Sequence, residues 1–241
     1  MLQTITGRIR KAIEDYNMIE DGDKIAVALS GGKDSIALLY ALHNLRRFYL
    51  KKFDIIAITI HPDSETFKTD KLEKMCKELK LEYIIYHSDL SNIVFNIRKE
   101  KNPCSLCANL RRGMLNTIAL EHGCNKIALG HHLDDAIETL LMNMCLNGKI
   151  HTFSPVTTFA NSNIAVIRPM IYVYEKEIRA LSRKMNFPVM GKCCPKDGDT
   201  MREYMKNMII KLRKDIPKVR ENLIGCIIRS DIPGWKKDKT N

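Results

Sequence analysis

Ile25-Ala-Val-Ala-Leu-Ser-Gly-Gly-Lys-Asp-Ser35 is the most informative stretch of this 241-residue chain. Residues 25–29 have the composition of a buried strand, and a loop with two glycines follows at once. A pattern of helical periodicity then runs from residue 34 to residue 47. A strand that turns directly into a helix is the repeating unit of α/β folds, so this segment predicts the first such unit.

Apolar runs of the same kind recur along the chain and alternate with helical segments. This alternation predicts an α/β fold with a parallel sheet of about five strands and helices on both faces. The predicted strands are 25–29, 55–60, 83–86, 127–129 and 165–167. The predicted helices are 4–17, 34–47, 69–79, 105–122, 133–146, 175–185, 200–214 and 218–228. With no long linker in the sequence, we expect a single domain over 1–241, with an N-terminal helix in 1–20 and a helical, basic extension over about 175–241.

The composition restricts the class of protein. Hydrophobic residues make up 45% of the chain, enough for one sizeable core. Eight cysteines are too few for a disulfide scaffold, and the longest apolar run, 55–60, is too short to cross a membrane. We therefore expect a soluble, cytoplasmic protein that does not enter membranes.

The charge is strongly positive, with 39 Lys and Arg against 28 Asp and Glu. Residues 201–241 hold 11 of the basic and 5 of the acidic residues, so +6 of the net +11 lies in this last part of the chain. Such a charge favours a polyanionic partner, above all nucleic acid. The alternative is a solvated basic face that only keeps the protein soluble.

The loop after the first strand has the residues of a phosphate site. Its glycines let the backbone approach a ligand closely, and the new helix offers unpaired N–H groups and a positive dipole end. The lysine adds a cation, the serine hydroxyls can bond phosphate oxygens, and Asp34 fits if Mg²⁺ lies between its carboxylate and a pyrophosphate. The loop is not a Walker A element, because Val27 stands where that motif has its first glycine. A plain Gly-Gly turn is the alternative. The loop residues are Ser30, Gly31, Gly32, Lys33, Asp34 and Ser35.

A second polar segment, Gly130-His-His-Leu-Asp-Asp135, follows the fourth predicted strand. The carboxyl ends of parallel strands meet at one edge of a sheet, so this segment is expected beside the glycine loop. Its carboxylates and imidazoles can hold Mg²⁺, orient phosphates or shuttle protons. Alternatively, Asp134 or Asp135 only caps the helix that follows.

Cysteine pairs at Cys104/Cys107 and Cys193/Cys194 suggest ligands or nucleophiles. The first pair stands at a predicted helix start, where the helix dipole favours thiolates. Four thiols could hold zinc, three could hold an iron–sulfur cluster with one iron open to sulfide, and two could form a redox pair; purely structural cysteines are the fourth reading. Arg111, one helical turn beyond Cys107, could bind a substrate phosphate or a developing oxyanion, or lie on the surface.

The glycine loop after its apolar strand resembles the PP-loop of the ATP pyrophosphatases. In that family ATP is split between its α and β phosphates, an oxygen is adenylated, and a nucleophile displaces AMP. The motifs together resemble the tRNA 2-thiocytidine synthetase (TtcA) family, over most of residues 1–215. They are 12–24, 30–35, 104–113, 126–135, 138–140 and 167–169.

This resemblance implies an adenine nucleotide alpha hydrolase-like fold and a cytoplasmic enzyme that uses ATP, Mg²⁺ and a [4Fe-4S] cluster. Cys104 and Cys107 match two of the three cluster ligands. The third falls in 187–195, where this chain departs from the family's Cys-x-x-Cys form, and we favour Cys194 over Cys193. The implied nucleotide site comprises the loop 30–35 with His61, Gly130, His131 and Asp135, and we assign catalytic roles to Lys33, Asp34, Arg111 and Asp134.

The functional hypothesis is ATP-dependent thiolation of tRNA. ATP adenylates O2 of an anticodon-loop cytidine, and sulfur from cysteine desulfurase or sulfide attacks C2 and expels AMP. The basic C-terminal helices would grip the tRNA, and the family tends to homodimers. The alternatives are a PP-loop enzyme that thiolates uridine or a small molecule, or uses an amine, and a non-catalytic iron–sulfur sensor that binds nucleic acid.

Overall fold

The computed structural model describes residues 1–62, 67–90, 93–94, 103–158, 163–191 and 200–236, without the side chains of 103–105. The strands are β1 (Asp23–Ala28), β2 (Phe53–His61), β3 (Tyr83–His87), β4 (Lys126–Ala128), β5 (Val156–Thr158) and β6 (Ala165–Ile167). The helices are α1 (Leu2–Asp15), α2 (Lys33–Leu45), α3 (Asp70–Glu78), α4 (Pro103–Glu121), α5 (Leu133–Asn147), α6 (Glu175–Lys184), α7 (Met201–Asp215) and α8 (Val219–Arg229).

These strands form one sheet in the order β3-β2-β1-β4-β6-β5. Strands β3, β2, β1, β4 and β6 are parallel, and β5 runs antiparallel to β6 at the edge. The α/β class is confirmed, but the expected count of five strands is corrected to six. The missed strand, β5, reads Val-Thr-Thr and is partly exposed at the edge of the sheet, so no apolar run marks it in the sequence.

Both faces of the sheet are buried, which explains why its strands are continuous apolar runs. Ile25 and Val27 of β1 face one core, which α1 and α2 cover with residues such as Ile9 and Leu39. Ala26 faces the opposite core, where α4 packs Leu115 and Ile118 on the sheet. The chain moves outward from β1 in both directions, so the carboxyl ends of β1 and β4 frame the switch point of the topology.

The C-terminal helices pack on the body of the protein. Helices α7 and α8 both contact α5, and Ile224, Ile227 and Trp235 belong to the same core as α1 and α2. Within the described ranges, no helix is long and apolar enough to span a membrane.

Candidate active site

Two loops meet at the switch point, where Gly31 and Gly130 each allow another segment to approach closely. Gly31 has φ +78°, and a Cβ there would collide with the Met190 side chain. Gly130 lies against the backbone of α2, where a Cβ would come within 3.1 Å of Asp34 and Ser35. The sequence prediction that the Gly-His-His segment lies beside the glycine loop is therefore confirmed.

The two serines of the glycine loop differ in their roles. Ser35 is buried; its hydroxyl donates to the Gly32 carbonyl at 2.9 Å and accepts from the Ser30 backbone N–H at 3.2 Å. It therefore fixes the shape of the loop from inside. Ser30 is exposed, so its hydroxyl can reach a ligand.

A pocket of about 420 Å³ opens between this pair of loops and helix α4. Its floor is the apolar sheet surface of β1, β4 and β6, and α4 closes one side with the guanidinium groups of Arg111 and Arg112. The volume suits a small-molecule ligand or a single base. Residues predicted from the sequence form its rim: Ser30, Asp34, Ser35, Gly130, His131 and Asp135.

Three buried polar atoms at this pocket have no hydrogen-bond partner in the described part of the chain: Asp34 Oδ1, His131 Nδ1 and Asn116 Oδ1. His132 Nε2 lies 3.8 Å from Asp34 Oδ1, beyond hydrogen-bond distance. Orphaned polar atoms around one cavity indicate that a ligand completes their bonding. Asn116 was not predicted, because a lone asparagine within a helical pattern gives no sequence signal.

Lys33, the first residue of α2, belongs to a network of charges at the glycine loop. Its Nζ lies 3.0 Å from Asp34 Oδ2 and 3.2 Å from Glu175 Oε1. Burial lowers the pKa of Lys33, but Asp34 and Glu175 raise it by more, so this lysine is a cation. Glu175 also binds Arg179 at 2.8 Å and Lys206 at 3.1 Å.

Glu175 is the centre of this network, and sequence reasoning missed it. Burial raises the pKa of its carboxyl, but Arg179, Lys33 and Lys206 together lower this pKa by more, to about 2. Three cations therefore share one carboxylate, which connects the glycine loop to α6 and α7. No local motif could predict this group, because its members come from three distant helices.

Asp135 shows both of the roles that the sequence left open. It forms a capping box with His132, whose backbone N–H donates to Asp135 Oδ2 at 2.9 Å. Its other oxygen accepts from Arg202 of α7 at 2.9 Å, and the residue lines the pocket. Burial raises the pKa of Asp135, but His132 and Arg202 hold it below its ordinary value, so it is a carboxylate.

The structure places Asp134 and His61 outside the pocket. Asp134 is buried, 3.3 Å from Arg220 of α8, and accepts the Glu175 backbone N–H at 2.8 Å at the start of α6. Its position therefore indicates a structural role, whereas the sequence suggested a place near metal or substrate. His61 ends β2, and its Nε2 lies 2.8 Å from the Phe67 carbonyl oxygen.

Replacing Arg220 by methionine is expected to lower the free energy of unfolding by about 3 kcal/mol, because the buried Asp134 loses its counter-charge. Urea unfolding measures this change, and Arg213→Met, on the exposed side of α7, is the matched control. ATP affinity should stay at the wild-type value. If Arg220→Met instead lost ATP affinity and kept its stability, Asp134 would belong to the nucleotide site.

His131 gives a prediction on pH. Burial lowers its pKa from 6.5 to about 4, and Asp135 offsets this only in part. The unfolded chain takes up this proton at the ordinary pKa, so stability falls as the pH drops through that interval. Between about pH 7 and about pH 4, the free energy of unfolding should fall by about 2 kcal/mol less in His131→Gln than in the wild type. An equal change in His122→Gln, at an exposed histidine, would contradict it.

Of the predicted cluster ligands, only the Cys107 side chain is among the described residues. Its thiol is free and half-buried, and Arg111 Nη2 lies 4.0 Å from its Sγ, one helical turn away as predicted. The Cys104 side chain and both Cys193 and Cys194 lie outside the described residues. In the part that is described, no three His, Cys, Asp or Glu side chains are grouped to hold a metal.

The segments that flank Cys193 and Cys194 both reach the site. Before them, the Met190 backbone N–H donates to the Gly31 carbonyl at 2.9 Å. After them, Thr200 caps α7, whose Arg202 binds Asp135.

Comparisons with known proteins agree with this geometry. Residues 1–213 match the family profile of the PP-loop domain. The tRNA-cytidine(32) 2-sulfurtransferase of Geobacter metallireducens is 41% identical over 92% of this chain and 88% of its own length. This chain belongs to that family of PP-loop proteins. The enzyme of the same name from Syntrophotalea carbinolica is 40% identical to this PP-loop protein, over 94% of this chain and 87% of its own.

Solved structures of similar fold include a tRNA thiolase and an NAD synthetase. The U34-tRNA thiolase NcsA from Methanococcus maripaludis, determined with its [4Fe-4S] cluster, superposes with a TM-score of 0.73 at 26% identity. The match covers 92% of this chain and 76% of NcsA. An NH₃-dependent NAD synthetase from Campylobacter jejuni shares the fold at a TM-score of 0.51 and 18% identity, over 94% of this chain and 91% of its own.

Proposed function

We propose that this protein is an ATP-dependent sulfurtransferase that replaces O2 of an anticodon-loop cytidine in tRNA by sulfur. One observation carries the proposal: the phosphate-type glycine loop and α4, the helix that contains Cys107, line one pocket, and Met190 bonds to the backbone of the same loop. The relatives at about 40% identity, named as tRNA-cytidine(32) 2-sulfurtransferases, support the choice of substrate.

The chain's own residues suit the first chemical step. Oxygen O2 of cytidine attacks the α-phosphorus of ATP, the bond between the α-phosphorus and the bridging oxygen breaks, and pyrophosphate leaves. The N–H groups at the start of α2 and the Lys33 cation stabilise the charge that develops on pyrophosphate. Asp34 Oδ1, which has no hydrogen-bond partner within the described ranges, is a suitable ligand for the Mg²⁺ that accompanies the phosphates.

In the second step a hydrosulfide sulfur attacks C2, and the bond from C2 to the adenylated oxygen breaks, so that AMP departs with that oxygen. Arg111 and Arg112 line the same pocket and can neutralise the negative charge on the phosphate of the departing AMP. Cys104, Cys107 and Cys194 would hold a [4Fe-4S] cluster, which supplies an iron without a cysteine ligand for binding the sulfide.

The tRNA surface that we propose is smaller than the net charge suggests. Arg202, Lys206 and Arg220 face inward and form ion pairs with acidic residues of α5 and α6. The exposed basic residues of α7, among them Lys211 and Arg213, remain for phosphate contacts. We also propose that the protein is a single domain, a cytoplasmic homodimer, and that cysteine desulfurase or free sulfide supplies the sulfur.

An assay with anaerobically purified protein, ATP, sulfide and tRNA tests this function. We expect AMP and 2-thiocytidine in equal amounts, measured by chromatography and nucleoside mass spectrometry. A tRNA with uridine in place of the target cytidine is the control and should give neither product. Thiolated uridine would instead support the NcsA-like activity, and the absence of AMP would support a non-catalytic nucleic-acid-binding protein.

A further inference from the structure

The short C-terminal segment 231–236 packs on a loop of the body through two buried residues, Ile232 and Trp235. The indole of Trp235 is fully buried, and its Nε1 donates to the Phe153 carbonyl at 2.9 Å. The Tyr16 hydroxyl donates to the Trp235 carbonyl at 3.3 Å on the other side. Trp235 therefore connects α1 to the connection between α5 and β5, which contains Phe153.

The same connection is held at its next residue. The Ser154 hydroxyl donates to the Pro233 carbonyl at 3.0 Å. Gly234 has φ +81°, and a Cβ there would collide with Ser154, so the two segments approach as closely as a glycine allows. The C-terminal segment thus bonds to the backbone of Phe153 and packs closely against Ser154, the next residue.

Phe153 connects the C-terminal segment to the pocket, because it contacts a residue of the pocket lining. Its ring contacts the His131 imidazole at a centroid distance of 5.0 Å and an angle of 37°. The Arg168 guanidinium lies over the same Phe153 ring at 5.2 Å, and its Nη1 donates to the Ser154 carbonyl at 2.6 Å. The Phe153 ring is therefore held between Arg168 and the pocket residue His131.

We propose that Trp235 is a positioning residue that sets the orientation of His131 through Phe153 and thereby the affinity of the site for ATP. This inference rests on the nucleotide-site assignment under the proposed function. His131 lines the pocket, and its Nδ1 has no hydrogen-bond partner among the described residues, so its ring has the geometry to meet a ligand. The Phe153 ring is its packing partner on the side toward the C-terminal segment.

The variant Trp235→Phe tests the proposal, because it keeps an aromatic ring in the core and removes the donor to Phe153. We expect the KM for ATP in the AMP-forming assay to rise about threefold to tenfold, the range for one lost hydrogen bond. The kcat and the KM for tRNA should stay at their wild-type values. Tyr83→Phe is the matched control, since it removes one aromatic hydrogen bond, to Thr59, at the far end of the sheet.

Fluorescence gives a second readout, because Trp235 is the sole tryptophan of the sequence. Adding ATP and Mg²⁺ should change the emission of the wild-type protein, and His131→Ala should lose this response. Calorimetry of ATP binding to the wild type tests the proposed function separately from the positioning role of Trp235. No ATP binding would overturn the proposed function itself.

If ATP binds, either of two results overturns the positioning role alone. One is a KM for ATP in Trp235→Phe that equals that of Tyr83→Phe. The other is tryptophan emission that does not respond to ATP. Lys236→Ala, at an exposed neighbour, should behave as wild type in both measurements.

Discussion

Lys33→Ala is expected to lower tRNA-dependent AMP formation by about a thousandfold, the loss typical of removing a group that stabilises charge in a transition state. Lys33 is the cation of the glycine loop, and the pyrophosphate that leaves carries the developing negative charge. The measurement is AMP release with saturating tRNA and sulfide.

The ion pairs around Glu175 make this loss interpretable. Without Lys33, the Glu175 carboxylate still has Arg179 and Lys206 at hydrogen-bond distance, so the buried charge stays compensated. The variant should therefore fold, with a thermal unfolding temperature close to that of the wild type. An activity loss without unfolding then reports on chemistry.

Lys51→Ala is the matched control for this experiment. Lys51 also pairs with a glutamate, Glu20 at 2.7 Å, but lies on the connection from α2 to β2, far from the pocket. It should retain wild-type turnover. Normal turnover in Lys33→Ala would remove the glycine loop from the ATP reaction, and Asp34→Ala provides an independent check of the same loop.

Local sequence patterns predicted the elements that local interactions determine. Each of the eight helices named above begins and ends within about two residues of its predicted bounds, because apolar periodicity and end signals are properties of neighbouring residues. The contact of Arg111 with Cys107 was predictable for the same reason, since residues four apart in a helix are neighbours. The two rim loops were predictable because parallel strands place their carboxyl ends at one edge.

Contacts between distant parts of the chain were not predictable from one sequence. Glu175 lies 142 positions from Lys33, and Trp235 lies 82 positions from Phe153. Asp134 and Asp135 show the limit most clearly. They are adjacent acidic residues at the start of one helix, yet one faces α8 and the other the pocket. Only the packing of α7 and α8 on α5 separates their roles.

The cysteine hypothesis predicts that alanine at Cys104, Cys107 or Cys194 removes the iron–sulfur cluster, because each would supply one of three ligands. We expect anaerobically purified variants to lose visible absorption together with bound iron and sulfide. Thiolation should fall to the level of a reaction without enzyme. ATP affinity should persist, because the glycine loop is folded through its own hydrogen bonds to Ser35.

Cys193→Ala is the sharpest control, because it differs from Cys194→Ala by one position in the chain. It should retain the cluster, as should Cys145→Ala at an exposed free thiol on α5. If Cys193→Ala loses the cluster and Cys194→Ala keeps it, the third ligand is Cys193 and the rest of the hypothesis stands. A colourless wild-type protein that contains zinc would end the cluster hypothesis. Thiolation in this pocket would then require a sulfur carrier of another kind, such as a persulfide on Cys107.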